Sequence, residues 1–259
     1  MIHIPHLETD VTLACQLSCV ACNHHVALHR AVKTKQTTPE QISKDLNGLS
    51  KIMHAGMWAA IGGEPLLHRQ LVDILQIARE SKIADRLEVW TNGLFIQKQS
   101  QEFWQSFDIL VLSIYPGMIS EEDILWIRSK CSDEGKDLVI ERRPHFRALL
   151  ELEPSGQERT IQKFKNCFFR SYSRVANEGY FFTCCCAPHM PVLIQGSSFG
   201  TDGVEIEGLT EDALLSYLQR SEPLSICSIC AGGDHTAASI PWKEERDPVR
   251  WLVASRGRA

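Results

Sequence analysis

Val11-Thr-Leu-Ala-Cys15-Gln-Leu-Ser-Cys19-Val-Ala-Cys22 carries an apolar run straight into three thiols spaced Cys-x3-Cys-x2-Cys. Thiols this close in sequence can reach one metal centre, and such a loop wraps three corners of a cubane iron–sulfur cluster. The competing reading is zinc, but a closed structural zinc site takes four ligands, commonly from paired Cys-x2-Cys knuckles. No fourth Cys follows nearby, although His24 and His25 stand beside the loop. Three thiolates on a 4Fe–4S cluster leave one iron open for a further ligand, and an open iron is useful for chemistry. Spacing alone leaves cluster and zinc both standing, with free thiols as a third reading.

Two stretches downstream bear on that choice. Met57-Trp-Ala-Ala-Ile-Gly62-Gly63-Glu64-Pro65 reads as an apolar strand ending in a glycine turn that carries one carboxylate. Leu87-Glu-Val-Trp-Thr91-Asn92-Gly93 reads as a second strand ending in small polar residues. Taken in order with the cysteine loop, they resemble the radical S-adenosylmethionine (radical SAM) superfamily over residues 8 to 145. The resemblance implies that Cys15, Cys19 and Cys22 hold a 4Fe–4S cluster whose open iron chelates the amino and carboxylate groups of SAM. It also implies that Gly62, Gly63 and Glu64 meet the methionyl amine, and that Asn92 and Ser113 contact the ribose and methionyl parts. The family usually has an aromatic residue directly before the third Cys. Ala21 stands there in this chain, so adenine has to be held by other groups.

A chain of 259 residues has room for one large domain, or for a domain with a substantial appendage. Its 44% hydrophobic and 23% charged residues are those of an ordinary globular protein. A net charge of −5 gives no basic footprint for a nucleic-acid partner. The start, Met-Ile-His-Ile-Pro, has neither the basic nor the apolar part of a signal peptide, and no apolar run is long enough to span a membrane. Ten Cys without an export signal, and tightly clustered, point to metal binding in a reducing cytoplasm.

Strands are expected over residues 8–14, up to Gly62, over 87–90 and 109–112, and from 138. Helical patterns alternate with them, over 38–54, 67–78, 96–106 and 120–134. Strands without surface alternation, separated by helices, indicate a parallel sheet covered by helices. Five such units fit a partial barrel or an open doubly wound sheet equally. The family resemblance implies α/β architecture with a partial (β/α)6 TIM-like barrel over 1–150. A small α+β auxiliary-cluster domain is expected over 151–235, and a tail over 236–259. In both architectures the strand C-terminal ends converge on the site. Cys15, Glu64, Asn92, Ser113 and Arg142 all lie at such ends.

Beyond residue 150 a second cysteine set begins. Arg174-Val-Ala-Asn177-Glu178-Gly179-Tyr-Phe-Phe-Thr is a hairpin signal, and its second strand presents Cys184-Cys185-Cys186. The order Cys167, hairpin, Cys184, Cys227, Cys230 resembles the twitch or SPASM extension of some radical SAM enzymes. That implies one auxiliary 4Fe–4S cluster on Cys167, Cys184, Cys227 and Cys230, with Cys185 as an alternative to Cys184. A zinc site on the same four thiolates is the other reading. Cys131 reads as a buried small hydrophobe, and Phe103, Trp104, Tyr180 and Phe181 as core. Arg142 and Arg143 follow strand five, so one should point inward, toward the SAM carboxylate or an anionic substrate. Tyr115 stands at the substrate mouth or simply packs its turn. His24 and His25 are expected to cap or face solvent rather than ligate, and the tail from Arg246, with Trp242 and Trp251, to be a solvated segment or to fold over the active site.

The resemblance implies reductive cleavage of SAM, followed by hydrogen abstraction from a small polar, sugar- or aminocyclitol-like substrate. With an auxiliary cluster as electron acceptor, the expected outcome is two-electron alcohol oxidation. Epimerisation is the alternative, with Cys185, Cys186 or Cys131 returning hydrogen. Peptide modification is disfavoured, because nothing before the first strand could grip a leader peptide. A non-catalytic zinc or iron–sulfur module has no use for the Gly-Gly-Glu-Pro stretch. A flavodoxin- or ferredoxin-type protein is the expected electron donor.

Overall fold

The structure, a computed structural model, describes residues 1–32, 36–151, 153–189, 202–233 and 237–256. Five strands, β1 (Ile2–Thr12), β2 (Met53–Gly62), β3 (Ala84–Thr91), β4 (Ile109–Ile114) and β5 (Asp137–Arg142), lie side by side in chain order and all parallel. Parallel neighbours need crossovers. After the short α1 (Val26–Val32), these are α2 (Pro39–Leu49), α3 (Leu71–Ser81), α4 (Gln101–Ser106) and α5 (Glu121–Asp133). The Thr38 hydroxyl caps α2 by accepting the Gln41 N–H at 3.2 Å, and Pro39 fits the first turn. Its apolar stripe, Ile42, Leu46 and Leu49, is fully buried. All six residues of β4 are buried, which is why that stretch reads as a continuous apolar run.

The α/β fold is the expected one, an open parallel sheet covered by helices. The sixth parallel strand, however, comes from beyond residue 150. β6 (His145–Arg147) leaves the sheet to pair with β10 (Ser239–Pro241). After α6 (Gln157–Lys165) and α7 (Phe168–Tyr172), β7 (Arg174–Asn177) joins the free edge of β1 in parallel. It turns at Glu178-Gly179, both at positive φ, into antiparallel β8 (Tyr180–Phe182), which pairs with β9 (Val204–Glu205). Phe181, Ile206, and Leu214 and Tyr217 of α8 (Glu211–Leu218) enter the same core as the first five strands. The sheet and part of the core are thus shared across residue 150.

Two boundaries differ from expectation. β1 starts at Ile2 rather than residue 8, because a His-Ile-Pro-His start hides a strand. The helix expected over 96–106 is a 3-10 turn (Ile96–Lys98) and then α4, which Ser100 starts afresh by accepting the Phe103 N–H at 3.3 Å. Along β1 the polar residues His6, Glu8, Asp10 and Thr12 alternate with Leu7, Thr9 and Val11, and all of them are buried. Leu7 and Val11 pack in the helix-covered core. The inner face of β1 is therefore polar and buried. Among the described residues no helix is long and apolar enough to cross a membrane.

Candidate active site

Two glycines set the geometry. The Gly63 N–H donates to Thr12 O at 2.6 Å, and the Glu64 N–H to Ala14 O at 2.8 Å. A Cβ at Gly62 would lie 2.2 Å from Thr12 O, and one at Gly63 2.3 Å from Ala14 O. Only hydrogen-sized side chains let the end of β2 close on the start of the cysteine loop. Gly63→Ala should force that junction apart and cost about 1–3 kcal/mol, read as a lower thermal midpoint. An unchanged midpoint would mean that the backbones separate freely.

The close approach puts Glu64 beside Cys15. Its buried carboxylate accepts from Thr91 Oγ1 at 2.6 Å, the Asn92 N–H at 2.8 Å and the Leu66 N–H at 3.1 Å. Burial pushes it up to about 7, against these three donors. Asn92 Oδ1 accepts from Gln16 Nε2 at 2.8 Å, and its Nδ2 stands 4.0 Å from Cys15 Sγ, so the end of β3 is tied to the loop. Ser113 is buried at the end of β4. Tyr115 lies between Phe146 and Trp242, stacked on both, with centroids 5.8 and 5.9 Å away. Burial raises its hydroxyl strongly, and charge on Cys19, Cys22 and Cys15 adds to that.

The tail is a latch rather than a solvated segment. Trp242 Nε1 donates to Cys19 Sγ at 3.2 Å, and Trp251 Nε1 to Cys19 O at 2.8 Å. Backbone bonds join Val20 N to Lys243 O at 2.9 Å and Glu245 N to Ser18 O at 3.0 Å, while the Ala21 N–H donates to Ser255 Oγ at 2.9 Å. Trp251, on α9 (Pro248–Ala254), is completely buried. The apolar surface of two Trp outweighs the charges of the flanking Arg residues. Residues 257–259 lie outside the described residues.

The second cysteine set surrounds one cavity. Cys167 at the start of α7, Cys184 after β8, and Cys227 and Cys230 on and after the 3-10 turn Ser225–Ile229 line it, with Phe164, Phe169 and Leu224. Burial pushes the Cys227 thiol up to about 12, and charge on Cys184 and Cys167 pushes the same way. Cys185 and Cys186 do not line this cavity. Their sulfurs lie 3.9 Å apart, and Cys185 neighbours Ser173, whose hydroxyl donates to Glu8 Oε1 at 2.6 Å. Cys131 is buried on α5.

Two expectations need correction. Arg142 points away from the site, exposed and paired with Glu121 at 3.3 Å. Leu138 and Ile140 pack on the helix-side core, and strand parity puts Arg142 with them. The inward residue is Arg143, paired with Glu141 and close to Tyr115. His25 is buried rather than solvent-facing, its Nδ1 2.7 Å from Asn23 O, and His24 reaches the Asp10 carboxylate. The sequence reading missed the inner face of β1 altogether. His6 sits 3.0 Å from Glu88 and 3.4 Å from Glu8; burial opposes its charging, but the two carboxylates prevail and hold it up at about 9. His6-x-Glu8-x-Asp10, polar at period two, was the available signal.

No family model matches the chain, and no curated protein matches it. Solved structures do. The chain shares the fold of BtrN. The crystal structure of BtrN in complex with AdoMet and 2-DOIA aligns at TM-score 0.54 and 16% identity, over 84% of this chain and 82% of BtrN. BtrN in an open conformation aligns at TM-score 0.51 and 14% identity, over 84% and 80%. SuiB from Streptococcus suis is more distant, at TM-score 0.46 and 12% identity over 83% of this chain and 66% of SuiB.

Proposed function

We propose that the chain is a radical SAM enzyme that oxidises an alcohol of a small polar substrate. The observation that carries this reading is the Glu64 carboxylate fixed beside Cys15, at the strand ends of a radical SAM fold. The residues fit the groups implied. Cys15, Cys19 and Cys22 offer three thiols on one loop, and Cys167, Cys184, Cys227 and Cys230 offer four around a cavity. The first set would hold a SAM-binding 4Fe–4S cluster and the second an auxiliary 4Fe–4S cluster. When bound, the first cluster supplies the electron that cleaves SAM, and the second accepts one from the substrate.

The chain's own residues do the positioning. Glu64 Oε1 already accepts two hydrogen bonds and Oε2 one, so Oε2 keeps a lone pair for the methionyl ammonium. Gly62 and Gly63 hold that carboxylate in place. Trp242 donates to Cys19 Sγ, which stabilises a thiolate. Tyr115, Phe146 and Trp242 form an aromatic wall that keeps water from the loop. Asn92 and Ser113 would meet SAM from the neighbouring strand ends. BtrN, crystallised with AdoMet and 2-DOIA, supports a sugar- or aminocyclitol-like substrate. In this reading residues 1–150 form the SAM barrel and 151–235 the auxiliary unit. The boundary itself, 234–236, lies outside the described residues. A flavodoxin- or ferredoxin-type donor in the cytoplasm would supply electrons.

Glu64→Gln removes a charge-assisted hydrogen bond, a class worth about 1.5–3 kcal/mol. SAM binding measured by calorimetry should therefore weaken about ten- to a hundredfold at unchanged iron content. Equal affinity would remove Glu64 from the site. Iron and sulfide analysis after anaerobic purification tests the whole reading, with about eight iron per chain expected for two clusters. Zinc alone would overturn it.

Epimerisation is the second reading, favoured by one observation. Cys185 stands outside the four-cysteine cavity, near Glu8 on the inner face of β1, where a thiol could return hydrogen to a substrate. Turnover in deuterium oxide should then leave deuterium at one substrate carbon, and Cys185→Ser should stop it.

A further inference from the structure

We propose that Asp10, His24 and His189 bind one divalent transition-metal ion, separate from both cysteine sets. Three distant segments deliver them. Asp10 lies on the inner face near the end of β1, and His24 follows Cys22. His189 closes the turn after the cysteine triplet, its N–H donating to Cys186 O at 3.2 Å. One ligand atom from each lies within 4.8 Å of the other two. His189 Nε2 is 2.9 Å from Asp10 Oδ2, and His24 Nδ1 is 2.9 Å from Asp10 Oδ1.

The second of these contacts is an ion pair without in-line hydrogen-bond geometry. Asp10 Oδ1 and His24 Nδ1 are both buried without a partner in hydrogen-bonding alignment, as is His29 Nε2. Two close donor atoms that do not point at each other fit ligands turned toward a common third point. A buried atom of this kind is otherwise costly, about 1–3 kcal/mol. His29 and His24 each pack edge-on to His189, at 5.4 and 5.5 Å, so three imidazoles gather at one carboxylate. His29, with its buried Nε2 beside His189, stands as an outer partner of the site. Two imidazole nitrogens and one carboxylate oxygen suit zinc or ferrous iron better than magnesium or calcium, which prefer all-oxygen shells. Such an ion would pin the barrel strand, the cysteine loop and the segment after the second cysteine set to one point.

Zinc is the probe. Anaerobically reconstituted protein is equilibrated with zinc and dialysed, and zinc and iron are then counted for wild type, His189→Ala and His24→Gln. The expected result is one zinc per wild-type chain, lost in both variants at unchanged iron content and circular dichroism. X-ray absorption at the zinc edge should give a nitrogen and oxygen shell at about 2.0–2.1 Å without sulfur. Equal zinc in wild type and folded variants overturns the proposal, and so does no zinc in wild type. If His189→Ala fails to fold, His24→Gln, whose ring is part exposed, carries the comparison. Should both misfold, the wild-type spectrum decides, and a shell of sulfur alone overturns the proposal. The zinc difference reads this site whether or not iron loads at the cysteines, so failure of the iron–sulfur reading is a separate result.

Discussion

Changing Cys15, Cys19 and Cys22 together to Ala is expected to abolish 5′-deoxyadenosine formation by dithionite-reduced protein supplied with SAM. The three thiols sit where β1, β2 and β3 end, and Glu64 and Asn92 approach Cys15 there. Without the thiolates the cluster has no ligand, so the loss should be complete rather than partial. The four-cysteine cavity lies elsewhere, so iron there should survive and report that the chain has folded. SAM cleavage at the normal rate by the triple variant would remove these residues from the chemistry.

The second large effect is expected from Cys167, Cys227 and Cys230 changed together to Ala. Cys184 alone cannot hold a cluster, so iron should fall by about half. Deoxyadenosine should still form, because the first site is intact, while oxidised product should fall to little or none. The substrate would have lost the acceptor for its second electron. Undiminished product would show that the second site takes no part in electron flow. Zinc bound by sulfur at that site would do the same, since zinc offers no redox chemistry.

The motif residues were legible in the sequence because local geometry fixes them. A strand that ends in Gly62-Gly63 must place Glu64 wherever the paired strand ends. The Asn177-Glu178-Gly179 turn likewise forces the hairpin that presents Cys184. Position relative to distant parts was not legible. Three consecutive cysteines give no phase, and the cavity selects Cys184 only through Cys167, Cys227 and Cys230. The sequence left Arg142 and Arg143 open, and only the packing of Leu138 and Ile140 against the helices turns Arg143 inward. The polar face of β1 showed only as the period-two run His6-x-Glu8-x-Asp10, and the Trp242 latch had no local signature. Each depends on partners far away in the chain: Asp10 meets His189 179 residues later, and Cys19 meets Trp242 223 residues later.

That last separation bears on how the protein comes to be made. The cysteine loop is translated early, yet its shape depends on residues 242–255. Until Trp251 has docked, the loop lacks the donors to Cys19 and the acceptor for the Ala21 N–H, and its thiols stand open to oxidation or to the wrong metal. Closing so long a span is slow compared with local folding. Metal delivered before residues 242–255 have docked would therefore meet an unfinished pocket, and a nascent chain stalled before residue 242 should hold iron poorly at Cys15, Cys19 and Cys22.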